Sequence, residues 1–173
     1  MKKSIALFII IICLITTGCG TSKFGGAITG TQPLNDPKIT YGEFPFEITY
    51  MINNETITVK DVYVCEYVGA FWDWNRGHFR EWKGYVKNTN ESSLLITEDA
   101  DRKIYCFVGS AEFYMDDEEY PEQKPLSPRV FDVEKNDNIN AEIMFFSSEE
   151  IMQYYGIKII SWNFSEPIIN SFE

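Results

Sequence analysis

The sequence predicts a mainly β domain, either an antiparallel β-sandwich or an open barrel, with one short helix near residues 147–155. Three observations favour this fold class. Short runs rich in Val, Ile, Thr, Phe and Tyr recur along the chain, hydrophilic turns separate them, and one segment carries helix signals. The 173 residues are 45 % hydrophobic and 16 % aromatic, which is enough to fill one core. An α+β sheet with the helix packed across it is the alternative.

The first two predicted strands, residues 44–52 and 55–68, form a hairpin. Asn53-Asn54 separates them, and an Asn pair tolerates the left-handed backbone of a tight turn. Towards the end of the second strand both faces become apolar, which predicts an interior strand. Further strands are predicted at residues 79–87, 94–97, 103–114, 130–133, 139–146 and 157–164.

The predicted helix begins at an N-cap serine. Ser147 is followed three residues later by Glu150, which is the capping-box arrangement, and Gly156 can end the helix in a left-handed conformation. The intervening apolar residues are Ile151, Met152, Tyr154 and Tyr155. The spacing predicts a helix of about two turns.

The N-terminal residues have the pattern of an export signal. They read MKKSIALFIIIICLITTGC, in which two lysines precede an uncharged stretch over residues 4–17. As a helix this stretch is about 21 Å long, too short for a hydrocarbon core of about 30 Å. The sequence Thr16-Thr17-Gly18-Cys19 resembles the lipobox of bacterial prolipoproteins, although Leu is commoner than Thr at the first position. The resemblance covers these 19 residues only and implies that Cys19 receives a diacylglyceryl group and becomes the new N-terminus.

This resemblance divides the chain into three parts. Residues 1–18 are the expected signal peptide, residues 19–38 the lipidated cysteine and a Gly-, Thr- and Pro-containing tether, and residues 39–173 a single β-rich domain. Loss of Lys2 and Lys3 leaves 13 basic and 26 acidic residues, a formal net charge near −13. Such a charge repels nucleic acid and anionic lipid, so membrane attachment requires a covalent or apolar anchor. The expected location is the extracytoplasmic face of the cell membrane.

Two cysteines belong to the domain itself. Cys65 and Cys106 each lie within a predicted strand, flanked by Tyr, Phe and Val. If the strands are neighbours, a disulfide would close a loop of about 40 residues and add about 3–4 kcal/mol of stability. Two buried free thiols that fill the core are the equal alternative.

The strongest binding-site candidate is an aromatic segment that Gly69 and Gly77 bound. Its large aromatic residues are Phe71, Trp72, Trp74, Phe79 and Trp82. Its candidate ligand-binding residues are Trp72, Asp73, Trp74, Arg76, His78 and Trp82. Tryptophan beside hydrogen-bonding side chains suits a sugar or peptide cleft. The preferred interpretation, however, is a hairpin loop whose aromatic side chains fold back over the core, because large aromatics are usually well buried.

No metal, cofactor or catalytic residue is predicted. The acidic run over residues 116–119, with Glu122, could offer oxygen ligands to Ca²⁺, but it lacks a spaced calcium loop and is expected to be solvated. His78 is the sole histidine, which excludes zinc motifs with paired histidines. The sequence also lacks a G-x-S-x-G elbow, a Walker loop and a G-x-G-x-x-G fingerprint.

The leading functional hypothesis is a non-enzymatic lipoprotein whose domain binds an envelope protein or a glycan. One rival is a small cell-envelope glycan hydrolase that uses carboxylates near the aromatic segment. Another is a structural accessory of a larger membrane complex. An open cleft with two carboxylates about 5–10 Å apart beside exposed Trp72 or Trp74 would favour the hydrolase. Buried tryptophans and a flat, acidic surface would favour protein contact.

Overall fold

The protein folds into two antiparallel four-stranded sheets. A computed structural model describes residues 34–117, 129–134 and 145–173. The first sheet has the order β3-β2-β1-β8, and the second has the order β4-β5-β6-β7. The strands are β1 Tyr41–Ile52, β2 Glu55–Asp73, β3 Gly77–Val86, β4 Leu94–Glu98, β5 Arg102–Phe107, β6 Arg129–Glu134, β7 Phe145–Phe146 and β8 Lys158–Phe164. Neither sheet closes on itself, and the predicted class, a mainly β sandwich or open barrel, is confirmed.

The β1–β2 hairpin follows the predicted pattern. Ile52 pairs with Glu55, and the two residues between them, Asn53 and Asn54, have φ angles of 52° and 63°. Two successive left-handed residues match the twist of the strands that they join. The turn therefore sets the register of the two longest strands.

The two sheets share one hydrophobic core. Alternate residues of β1 point into it, and the second sheet contributes buried side chains such as Ile104 and Val130. The Tyr50 hydroxyl spans the sheets and donates a 3.3 Å hydrogen bond to the Ile96 carbonyl oxygen. The buried β1 residues are Phe44, Phe46, Ile48 and Tyr50.

The predicted helix is present, and the described residues contain two short helices, α1 Ala111–Tyr114 and α2 Ser148–Tyr155. In α2 the capping box is complete: the Ser147 hydroxyl accepts from the Glu150 amide at 3.3 Å, and the Glu150 carboxylate accepts from the Ser147 amide at 2.8 Å. Gly156 ends α2 with φ of 64°. Ile151, on its inner face, is buried in the core.

The prediction of a strand over residues 103–114 is wrong in its second half. Strand β5 ends at Phe107, and α1 follows with Ser110 as its N-cap. Gly109, with φ of 118°, lies between the strand and the helix. Other residues rarely adopt this backbone conformation, and a Cβ there would lie 2.6 Å from the Tyr114 ring, so the position requires glycine. The expectation of a single helix is corrected accordingly.

The strands around the aromatic segment are longer than predicted. Strand β2 continues to Asp73 and β3 starts at Gly77, so the segment is mostly paired strand with a short turn. Residues 135–144, which include most of a predicted turn and strand, lie outside the described residues, as do residues 1–33. No helix in the described ranges is both long and apolar enough to cross a membrane.

Candidate functional site

The β2–β3 hairpin projects beyond the rest of its sheet. Strand β1 begins at Tyr41, opposite Glu66 of β2, so the β2 residues after Tyr67 pair with β3 alone among the described strands. We call residues 68–81 the arm. Its paired residues include Phe71 with Phe79 and Trp72 with His78. The arm is therefore a two-stranded ribbon that extends past the start of β1.

A carboxylate shapes the turn at the tip of the arm. The Asp73 side chain accepts hydrogen bonds from the amides of Asn75 at 2.8 Å and Arg76 at 2.7 Å. It also accepts from Arg76 Nε at 2.9 Å. These hydrogen bonds, with the Arg76 amide contributing most, lower the pKa of Asp73. Asp73 therefore stays ionised and stabilises the turn.

Three large aromatic side chains are exposed on the arm. Trp74 is 87 % exposed, Phe71 is 42 % exposed and Trp72 is 40 % exposed. The Trp72 and Trp74 rings contact each other edge to face, with centroids 4.7 Å apart. The preferred prediction that these aromatics cap the core is therefore wrong for Trp72 and Trp74. No part of β1 extends beneath the tip, so they have no core to cover.

Arg76 and His78 lie beside the aromatic side chains of the arm. The Arg76 guanidinium lies 3.7 Å from the centre of the Phe79 ring, an attractive cation–π geometry. His78 is half-buried opposite Trp72. Of the candidate ligand-binding residues, Trp72, Asp73, Trp74, Arg76 and His78 thus share the tip.

Trp82 differs from the other candidates because it is buried at the base of the arm. Its indole N–H donates to Asp117 Oδ2 at 2.7 Å, and the same carboxylate binds Arg80 through Nε and Nη2 at 2.7–3.0 Å. The Arg80 and Asp117 side chains are only 14 % and 11 % exposed. Asp117, predicted to lie in a solvated acidic loop, instead holds the base of the arm in place.

Both ends of the described domain meet at this base. The Asn35 carbonyl oxygen accepts from Arg80 Nη1 at 3.1 Å, and the Asp36 carboxylate accepts from the Tyr67 hydroxyl at 2.7 Å. Phe172, next to the last residue, bridges to Pro37, and its ring centre lies 4.0 Å from the guanidinium carbon of Arg80. The chain that leads from Cys19 therefore enters the domain beside the arm.

The domain cysteines lie away from the arm. Cys65 on β2 and Cys106 on β5 are free and buried, and they belong to different sheets. Burial raises the pKa of each thiol to about 12, and the Glu112 charge adds to the effect at Cys65. Of the two alternatives left open by the sequence, the structure contains the core-filling thiols.

The described residues hold no group of three or more His, Cys, Asp or Glu side chains that could bind a metal ion. Sequence reasoning missed Arg80 and Asp117 as a pair, since they lie 37 positions apart in the chain.

Comparisons with protein-family models, with curated proteins and with solved structures found no match.

Proposed function

We propose that the protein is a lipid-anchored, extracytoplasmic binding module whose arm contacts another envelope protein. The observation that supports this is the exposure of Phe71, Trp72 and Trp74 together on a paired hairpin. Exposed apolar surface costs about 25 cal/mol per Å² relative to burial. A partner that covers these rings would recover that free energy.

The exposed tryptophans reverse the expectation that a protein-contact role would go with buried ones, but the composition of the tip still favours a protein partner. Tryptophan and arginine are enriched among the residues that dominate binding energy at protein interfaces. Both residue types occur at the tip. The hydrogen bonds of Asp73 and the strand pairing also order the tip before a partner binds, and this order reduces the entropy lost on binding. The excess of acidic residues disfavours nucleic acid and anionic lipid as the partner.

The same geometry argues against the hydrolase alternative at this site. A glycosidase acid needs a raised pKa so that it carries a proton at neutral pH. Asp73, the carboxylate between the two exposed tryptophans, has a lowered pKa and is committed to the turn. The tip also projects from the sheet, whereas a glycan-cleaving pair of carboxylates needs a cleft.

The anchor proposal rests on the lipobox-like sequence that ends at Cys19. Asn35 lies sixteen positions after Cys19, a span of at most about 55 Å when the chain is fully extended. Lipidation would therefore keep Asn35, at the base of the arm, within about 55 Å of the membrane surface. Radiolabelled palmitate should label the wild-type protein, and Cys19→Ala should abolish the label and release the protein; label retained by the variant would refute lipidation at Cys19.

The contact role of the arm can be tested by photocrosslinking in intact cells. A photoreactive residue replacing Trp74 should give an adduct of discrete mass on illumination. The same residue replacing Tyr154, which is exposed on α2, is the matched control and should give no such adduct. Adding Trp72→Ala should reduce the position-74 adduct about tenfold. The same adduct pattern from both positions would show that the arm is not the contact surface.

A further inference from the structure

A second feature, independent of the arm tip and of the lipid anchor, is a cavity between β3 and α1. Its volume is about 510 Å³, within the range of about 300–1,000 Å³ that is usual for small-molecule sites. The side chains that matter to its chemistry are Tyr63, Trp82, Ser93, Phe107, Glu112 and Phe131. They come from both sheets, from α1 and from the loop before β4.

Aromatic rings form much of the cavity lining. Trp82 is held by its hydrogen bond to Asp117, and Phe131 is buried on β6. Phe107 ends strand β5 and is partly exposed. Rings held in this way offer fixed apolar surfaces against which a flat ligand face can pack.

Two hydroxyls that line the cavity have no hydrogen-bond partner among the described residues. Tyr63 is 3 % exposed and Ser93 is 5 % exposed, and within the described part of the chain neither hydroxyl makes a hydrogen bond. A Cβ at Gly84 would collide with the Tyr63 hydroxyl, so this glycine leaves the space that the hydroxyl occupies. Within the described part of the chain, Trp162 Nε1 is the only fully buried side-chain polar atom without a partner, so the Tyr63 and Ser93 oxygens are accessible from the cavity. A ligand that displaces water from these oxygens must offer them hydrogen bonds in return.

The charge of the cavity restricts the ligand further. Glu112 lines it, and this carboxylate is near enough to Tyr63 and Cys65 to add to the increase in their pKa values that burial causes. Glu81 and Lys83 also reach the lining, and both are exposed. A carboxylate accepts hydrogen bonds from hydroxyl donors and repels anions.

We propose that this cavity binds one or two units of a neutral sugar. A pyranose ring presents an apolar C–H face that can pack on Trp82 or Phe131, and hydroxyls that can pair with Tyr63, Ser93 and Glu112. A purely apolar ligand would leave the buried hydroxyls unpaired, and an anionic one would face Glu112. A neutral polyhydroxyl ring satisfies both conditions.

The test is a titration of the purified full chain with glucose, N-acetylglucosamine and cellobiose, followed by NMR chemical shifts. At least one of these sugars should bind saturably, with a dissociation constant in the range of about 1–10 mM. Tyr63→Phe and Glu112→Gln should each weaken that binding about tenfold, since each removes one hydrogen-bonding group. Glucuronate, which carries a carboxylate, should bind at least about tenfold more weakly than glucose.

Two controls separate loss of binding from loss of fold. Tyr85→Phe removes a tyrosine hydroxyl from the same strand pair, where it donates to Glu66 rather than lining the cavity, and it should leave binding unchanged. Tyr63→Phe keeps the ring and removes an unpaired hydroxyl, so its unfolding temperature should equal or exceed that of the wild type. No saturable shift with any of the three sugars, or equal binding by the wild type, Tyr63→Phe and Glu112→Gln, would overturn the proposal.

Discussion

At the scale of single residues, Asp117 accounts for much of the order at the base of the arm. Its carboxylate receives hydrogen bonds from Arg80 and from the Trp82 indole, and the ion pair is largely shielded from solvent. A shielded pair gains little over an apolar contact, but the loss of one partner leaves an unpaired charge. Mutation of either Arg80 or Asp117 is therefore expected to destabilise the domain.

Asp117→Asn should destabilise the domain by about 3 kcal/mol, because it leaves the Arg80 guanidinium buried without a counter-charge. Urea unfolding followed by circular dichroism measures the change. Glu47→Gln is the matched control: its partner Lys60 is exposed, so the unfolding midpoint should change far less. Equal shifts in the two variants would mean that the Arg80–Asp117 pair has no special role in stability.

Cys65 and Cys106 should be unreactive in the folded protein. Burial excludes reagent and raises the pKa of both thiols to about 12, so almost no thiolate is present at pH 7. Iodoacetamide should modify both cysteines at least on the order of 100-fold more slowly than in urea-unfolded protein. Peptide mass spectrometry locates the modified positions, and rapid labelling of either cysteine in the native state would contradict its burial.

At the scale of elements, α2 depends on its capping box. Ser147→Ala removes the acceptor for the Glu150 amide and should cost about 1 kcal/mol of unfolding free energy, because Ile151 ties this helix to the core. Chemical denaturation of the purified variant measures the loss. Ser148→Ala, one residue along and outside the capping hydrogen bonds, should cost much less, and a reversed order of the two variants would refute the cap's contribution.

Elements marked by local signals were predictable from the sequence. The Asn53-Asn54 turn and the Ser147–Glu150 cap each act over a few residues, so the first hairpin and α2 could be placed. Helix α1 was missed because it lies in an apolar stretch that also fits a strand. Its only local marks are Gly109 and the Ser110 cap.

The candidate site depended on distances that a sequence does not contain. Trp72 and Trp74 are exposed because β1 begins opposite Glu66 and does not reach them. That limit depends on the register between two strands, which the sequence does not give. The cavity likewise requires both sheets to be in place before Tyr63 and Ser93 face it. The sequence could indicate the residue types near the arm, but not which of them remain exposed.

At the scale of the whole molecule, buried acidic groups predict sensitivity to alkali. Burial raises the pKa of Cys65 and Cys106 from an ordinary value near 9 to about 12 and also raises the pKa of Tyr63 and Tyr114. A raised folded pKa gives stability that is complete below the unfolded pKa and is lost as pH rises towards the folded value. The unfolding free energy should therefore be level near pH 7–8 and fall between about pH 9 and 12.

Urea unfolding at a series of pH values measures this dependence. The double variant Cys65→Ala/Cys106→Ala removes two of the buried groups, so its unfolding free energy should fall less steeply over the same interval. A wild-type protein whose stability stays constant up to pH 12 would contradict the burial of these groups. Equal slopes in the two proteins would assign the effect to the tyrosines alone.

The meeting of both chain ends at the base of the arm has a mechanical consequence. If Cys19 is fixed in a membrane and a partner holds the tip, tension enters at Asn35 and leaves through β2 and β3. The force then acts on the contacts of Arg80 and Tyr67 with residues 35–36, and the Ile104 and Val130 side of the core carries little of it. The domain would yield first by detachment of residues 35–36 from the base of the arm, while both sheets stayed folded.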